Sequence, residues 1–190
     1  MKFNLIPTMA ILAMAIAIPA QAMTKTEYKA AGQILDGDRK AAITACSATS
    51  GNAKSICVME AKGQYTIAQA DLDAKYKPSP KANMKLRDKR ADVAYDIAKV
   101  KCKELKGNPK DVCIKDAKAA KVAAKADANV AKVTAEAKND GAKKVVEARK
   151  DAVEDKSDAA YAAAKERCDA LSGDAKTRCV NDAKVKFGKS

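Results

Sequence analysis

The sequence predicts an all-α protein: an elongated helical bundle of antiparallel hairpins, each stapled by a disulfide, with one long Ala/Lys-rich helix. Three observations support this prediction. Two cysteines separated by ten residues occur three times along the chain. The segments between the three cysteine pairs are rich in Ala, Lys and Glu, which are strong helix formers. No run of alternating apolar and polar residues, typical of a β-strand, competes with the helical pattern.

The chain opens with a segment typical of an export signal. Lys2 precedes an apolar stretch over residues 5–18, and residues 20–22 (AQA) have the small side chains of a cleavage site. We therefore assign residues 1–22 to a signal peptide with cleavage after Ala22, and expect a periplasmic or secreted protein. No later stretch is long and apolar enough to predict a transmembrane segment in the mature chain.

The three cysteine segments share more than their spacing. In each, Gly lies five residues after the first cysteine and is followed by Asn or Asp. We expect the Gly to end one helix and the Asn or Asp to cap the next, so that each segment forms a helix, a short turn and a second helix. The two cysteines then face each other across the hairpin. The predicted disulfides are Cys46–Cys57, Cys102–Cys113 and Cys168–Cys179.

Two other uses of the cysteines compete with structural disulfides. A redox-active pair is expected to have the C-x-x-C spacing, which the chain lacks, and zinc ligands come in closer pairs. The chain also has no His, which excludes a Ser-His triad and His metal ligands. We predict no catalytic residues, no metal site, no cofactor and no small-molecule substrate.

The helices are predicted from the positions of the turns. The first spans residues 24–49, with a possible kink at residues 36–38 (DGD), and the second spans 53–76. The Pro-rich segment 77–81 separates the second helix from a third at 82–106. The last helix covers 175–187.

The fourth predicted helix begins at Pro109, where its missing N–H has no cost. Small or apolar residues recur from Val122 to Ala152 at helical spacing, and residues 139–141 (NDG) predict a break or kink. We expect the first four helices to run up, down, up and down, and the fourth to continue outward. The predicted division is a bundle with two disulfide hairpins at 23–140 and a helical extension with the third at 141–190.

The composition is basic and poor in large apolar residues. The net charge is +13, and the chain has no Trp, two Phe and five Tyr, so a thick hydrophobic core is not expected. The positive charge is concentrated at residues 75–90 (KYKPSPKANMKLRDKR), with Tyr76, Met84 and Leu86 as apolar neighbours. The candidate anion-binding residues are Lys75, Lys77, Lys81, Lys85, Arg87, Lys89 and Arg90. The alternative is that this segment is a solvated linker.

Several segments resemble a known family. The stretches AYDIAKVKCKELKGNPKDVCIKDAKAA, YKPSPKA and AYAAAKERCDALSGDAKTRCVNDAK are similar to uncharacterised exported Lys/Ala-rich proteobacterial proteins with repeated C-x10-C hairpins. Members are sometimes labelled TolA-like cell envelope proteins, and the likeness to the TolA stalk covers mainly residues 115–167, by composition. The disulfide hairpins depart from the stalk pattern, so the resemblance implies no TolA partner.

These observations favour a non-enzymatic, exported structural or interaction protein associated with the cell envelope. Its expected partner is a protein or an anionic envelope component. One alternative is a polyanion-binding protein, with nucleic acid or lipopolysaccharide bound by residues 75–90. A second alternative is a stress-protective helical protein, because Ala/Lys-rich helices also occur in proteins that protect against desiccation.

We expect the exported form to lack residues 1–22. Intact-mass analysis of the protein recovered from outside the cytoplasm should give a chain that starts at Met23. Recovery of only the full-length chain from the cytoplasm would contradict both the export signal and the argument for disulfides that depends on it.

Overall fold

A computed structural model describes residues 23–137 and 141–189, so the predicted signal peptide at 1–22 lies outside the described residues. The described part is all-α, as predicted. Its helices are α1 (Lys25–Ala45), α2 (Gly51–Tyr76), α3 (Pro80–Lys101), α4 (Asn108–Glu136), α5 (Ala142–Cys168) and α6 (Gly173–Lys186). A short 3₁₀ turn follows α1 at Cys46–Ala48, and another follows α3 at Cys102–Glu104.

Two helices start at well-formed caps. Thr24 accepts a hydrogen bond from the Glu27 amide (3.2 Å), and the Glu27 carboxylate accepts one from the Thr24 amide (2.7 Å), which completes a capping box for α1. The Ser79 hydroxyl accepts a hydrogen bond from the Ala82 amide (3.0 Å) at the start of α3. Helix α1 continues without a break through residues 36–38, where we expected a possible kink.

The six helices form one antiparallel layer. Each helix packs against the helices before and after it in sequence, and no other pair in the described part of the chain packs extensively. The Asn52 side chain, at the start of α2, reaches the Val100 carbonyl at the end of α3 (3.3 Å). The Asn108 side chain, at the start of α4, reaches the Glu166 carbonyl at the end of α5 (2.8 Å). Consecutive helices therefore run in opposite directions.

The long Ala/Lys-rich segment folds back on itself. Helix α4 ends at Glu136 and α5 begins at Ala142, so the predicted interruption lies in the expected region, although residues 138–140 are outside the described residues. Helices α4 and α5 pack along each other. Our expectation that the chain after Pro109 extends outward from the bundle is wrong, because the small residues of α4 and α5 pack against each other.

All three predicted disulfides are confirmed, and they lie at the same end of the layer. The Cα–Cα distances are 5.6 Å for Cys46–Cys57, 5.8 Å for Cys102–Cys113 and 5.7 Å for Cys168–Cys179. Each disulfide joins the end of an odd-numbered helix to the start of the next helix. Because consecutive helices are antiparallel, these three junctions meet at one end, and the Pro-rich turn between α2 and α3 lies at the other.

The Gly of each turn, and the Asn that follows it in the first two turns, act differently from our expectation. Gly51, Gly107 and Gly173 have φ between +54° and +58°, which only Gly adopts without strain, but they open the second helix instead of ending the first. The side chains of Asn52 and Asn108 do not cap their own helices. They instead donate hydrogen bonds to backbone carbonyls of the following hairpin, and so connect one hairpin to the next.

The interior of the layer is thin and consists mainly of Ala. Apart from the three first cysteines of the disulfides, the buried apolar side chains larger than Ala in the described residues are Leu72 and Val100. Helices α2 and α3 approach so closely at Gly63 that a Cβ atom there would lie 2.4 Å from Val93 Cγ1. Little apolar area is buried per residue, so hydrophobic burial stabilises this fold less than it does a globular domain of equal length.

Each hairpin also carries one side-chain contact at a fixed distance from its disulfide. The contact joins the residue seven before the first cysteine to the residue eight after the second. In the first hairpin the Arg39 guanidinium lies 4.9 Å from the Tyr65 ring centroid. In the second the Lys121 ammonium lies 5.0 Å from the ring centroid of Tyr95. In the third Tyr161 and Phe187 meet edge to face, with ring centroids 6.3 Å apart.

We predict that the disulfides stabilise the fold and perform no chemistry. Replacing Cys102 and Cys113 by Ser should lower the stability by about 3 kcal/mol, because the disulfide closes a short loop, and the Tm by about 5–10 °C. Most of the helical signal in far-UV circular dichroism should remain at low temperature, because the segments have high helix propensity. A peptide map without reductant that shows Cys57 joined to Cys102 would contradict the pairing.

Candidate anion-binding groove

A groove of about 710 Å³ lies at the end of the layer opposite the disulfides. The last turn of α2 contributes Asp73 and Tyr76, and the first turn of α1 contributes Tyr28. The turn after α2 and the first helical turns of α3 supply the remaining residues. Those residues are Lys77, Ser79, Lys81, Ala82, Met84, Lys85 and Asp88. The groove therefore combines aromatic and apolar surface with three lysines.

The Tyr28 side chain joins α1 to the end of α2. Its ring stacks on Tyr76, with centroids 4.4 Å apart and planes inclined by 25°. Its hydroxyl donates to Asp73 Oδ1 (2.7 Å), and Gln69 Nε2 also donates to that oxygen (3.3 Å). The Lys85 ammonium lies 3.4 Å from Asp73 Oδ2. Asp73 is thus the centre of a network that holds three helices together at this end.

The hydrogen bonds of this network shift two pKa values. Burial raises the pKa of Asp73, but the hydrogen bonds from Tyr28, Gln69 and Lys85 outweigh it and hold the pKa below its ordinary value of 3.8. The hydrogen bond to Asp73 raises the pKa of Tyr28 above its ordinary value of 10.0, and burial adds to the effect. At neutral pH the carboxylate is ionised and the phenol is protonated, which is the pairing that the hydrogen bond needs.

The seven predicted anion-binding residues are divided between the groove and the surface outside it. Only three of them, Lys77, Lys81 and Lys85, line the groove. Lys75 and Arg90 instead lie 2.7 Å and 4.0 Å from the carboxylate of Asp71, on the side of α2 and α3 away from the groove. The remaining two, Arg87 and Lys89, are outside the groove lining. Of the apolar neighbours named from the sequence, Tyr76 and Met84 line the groove and Leu86 does not.

Helical periodicity explains this division. Lys81, Met84, Lys85 and Asp88 have the i, i+3, i+4, i+7 spacing that places side chains on one face of a helix, and all four line the groove. The spacing could have been read from the sequence. Tyr28 and Asp73 could not have been found in this way, because only the packing of α1 on α2 brings Tyr28 to the basic turn.

The charges elsewhere hold neighbouring helices together. The Asp92 carboxylate of α3, for example, lies 2.8 Å from the ammonium groups of both Lys121 and Lys125 of α4. Burial raises the pKa of Asp92, but the hydrogen bonds from these lysines outweigh it and lower it. In the described residues every carboxyl group with a shifted pKa has it lowered. These groups are Glu27, Asp73, Asp92 and Asp169.

Comparison of the chain with known protein families, curated proteins and solved structures finds no match. Among residues 23–137 and 141–189, no helix is long and apolar enough to cross a membrane. The same residues contain no group of three acidic or cysteine side chains arranged to hold a metal ion. The three disulfides fit a protein that resides outside the cytoplasm, where thiols are oxidised.

We predict that Tyr28→Phe destabilises the protein in a pH-dependent way. Loss of the hydroxyl should lower the free energy of unfolding at pH 7, because the Asp73 carboxylate then loses a hydrogen-bond donor. A lowered carboxyl pKa gives stability that is present above the unfolded pKa and is lost as the pH falls through the folded one. The deficit of the variant should therefore shrink as the pH falls through 3.8 and below, where Asp73 becomes protonated.

The measurement is urea unfolding of the wild type and the variant from pH 7 to pH 2.5. Tyr161→Phe is the matched control, because its ring also contacts an aromatic neighbour but its hydroxyl has no hydrogen-bond partner among the described residues. A deficit of Tyr28→Phe that is constant across this pH range would show that the hydroxyl does not act through Asp73.

Proposed function

We propose that the protein is a non-enzymatic, exported interaction protein of the cell envelope that contacts an anionic envelope component through the groove. The observation that carries this proposal is the convergence of Lys77, Lys81 and Lys85 from the α2–α3 turn and α3 on one aromatic-lined groove. The resemblance to exported envelope proteins and the three disulfides support a location outside the cytoplasm, in the periplasm after cleavage at Ala22.

The shape of the molecule supports a binding role over an enzymatic one. A single layer of helices leaves both of its faces open to solvent, whereas active sites are usually enclosed in clefts that exclude water. The carboxylates with shifted pKa are ionised and pair with lysines or hydrogen-bond to Tyr or Thr, as structural side chains do. At one end a disulfide closes each hairpin, and the opposite end presents the groove.

A polyanion bound along the whole of residues 75–90 is less well supported. A polymer needs a continuous row of cations to neutralise successive phosphates. Here Lys75 and Arg90 pair with Asp71, and Arg87 and Lys89 lie outside the groove. Three of the seven basic side chains are therefore gathered in the groove, and the other four lie outside it.

We expect a photo-crosslinking residue beside the groove to capture the partner in intact cells. Asn83 is exposed and lies between groove-lining residues without lining the groove itself, so its replacement leaves the site intact. Val185, which is 82% exposed on α6, is the matched control on the opposite edge of the layer. Irradiation should give an adduct from position 83 in the periplasmic fraction and none from position 185. Adducts of equal yield at both positions, or at neither, would contradict the proposal.

A further inference from the structure

The groove has two chemically different parts that lie side by side. The Tyr76 ring, the Met84 side chain and Ala82 present apolar surface, and the lysine ammonium groups lie around it. Its volume of about 710 Å³ is within the range of roughly 300–1,000 Å³ that is typical of small-molecule sites. A ligand that filled it would therefore bring both an apolar body and a negative charge.

Two of the groove lysines are available to pair with an anionic ligand. Lys85 is engaged by Asp73 at 3.4 Å. Lys77 and Lys81 form no salt bridge within the described residues, and the Lys77 ammonium lies 5.5 Å from the centroid of the Tyr76 ring. An acidic head group between these two lysines would lie beside the aromatic surface, at the boundary between the polar and the apolar parts of the groove.

One feature of the groove opposes an anion. Asp88 lies on the same face of α3 as Lys81 and Lys85, and it lines the groove. Its Oδ1 atom is buried and has no hydrogen-bond partner in the described residues. The carboxylate at this position repels a second negative charge, so the groove favours a ligand with one compact acidic group over a densely charged polymer.

We propose that the groove binds a small anionic amphiphile, with its apolar body against Tyr76 and Met84 and its acidic head group between Lys77 and Lys81. This inference rests on the anionic contact proposed above and assigns its ligand class. A fatty-acid carboxylate and the phosphate of a single-chain lipid share this chemistry. The affinity comes from burial of the apolar chain and from charge-assisted hydrogen bonds to the two lysines.

The test is calorimetric titration of the purified, oxidised full chain with four probes below their micellar concentrations. Dodecyl phosphate and dodecanoate carry both parts and distinguish the two sources of the head group. Dodecyl maltoside has the chain without the charge, and inorganic phosphate has the charge without the chain. We expect at least one of the first two probes to bind at least tenfold more tightly than either of the last two.

Three variants locate the site. Lys77→Gln/Lys81→Gln should weaken binding of the anionic probe about tenfold or more, because two charge-assisted contacts are lost. Arg87→Gln/Lys89→Gln removes the same charge from the same segment outside the groove, and it should change the affinity less than twofold. Asp88→Asn should tighten binding several-fold, because it removes a repulsive charge. Thermal unfolding of each variant checks that the fold is retained.

Several results would overturn the inference. Equal weakening by the two double variants would mean that the net charge of the segment matters and the groove does not. If dodecyl maltoside bound as tightly as the anionic amphiphiles, the lysines would not contribute to binding. If inorganic phosphate bound as tightly as they do, the apolar surface would not contribute. If a single-stranded oligonucleotide bound more tightly than the anionic amphiphiles, and both double variants weakened its binding, residues 75–90 would be a polyanion-binding segment instead. Absence of amphiphile binding with an intact crosslink at position 83 would overturn the ligand assignment alone.

Discussion

The three disulfides fix the junctions between paired helices, and the rest of the fold depends on these junctions. Each disulfide holds its two Cα atoms 5.6–5.8 Å apart, within the range that is usual for a disulfide. The Ala-rich interface between α4 and α5, with Ala126, Ala148 and Ala152 buried, joins two hairpins that no disulfide connects, and its small side chains bury little apolar area. The crosslinks compensate for the burial that small side chains cannot provide.

The three hairpins are variants of one unit, and contacts between units join them into a layer. Asn52 and Asn108 each donate to the carbonyl two residues before the first cysteine of the next hairpin. In the last hairpin the equivalent residue is Asp174, which has no amide to donate and is followed by no further helix in the described part. The first two hairpins have the same cation–π contact at equivalent positions, but the partners are exchanged. Arg39 contacts the Tyr65 ring in the first hairpin, and Lys121 contacts the Tyr95 ring in the second. The first hairpin has Arg39 where the other two have Tyr95 and Tyr161, and it still forms a cation–π contact there.

The sequence predicted the helices and the disulfide pairing well, because both depend on local signals. Gly51 and its equivalents, the Pro-rich turn and the cysteine spacing each act within a few residues. The direction of α5 could not be predicted, because small residues at helical spacing suit a helix that packs on α4 as well as one that extends beyond it. The role of Asn52 was wrong for a similar reason: its N-cap pattern is local, but its partner, Val100, lies in the next hairpin. The groove depends on Tyr28, which comes to Asp73 only through packing.

The separation of the crosslinks from the groove explains how a thin fold can present a groove at its open end. The disulfides fix one end of the layer, and α2 and α3 extend from there to the Pro-rich turn. At that end no crosslink is present in the described residues, and the Asp73 network supplies the order instead, by joining Tyr28 of α1 and Lys85 of α3 to the end of α2. Exposed ion pairs contribute little alone, but a carboxylate that also accepts hydrogen bonds from Tyr28 and Gln69 contributes more. The network that orders the open end of the layer is therefore also one wall of the groove, so the ligand that we propose there would be coupled energetically to the packing of α1 on α2.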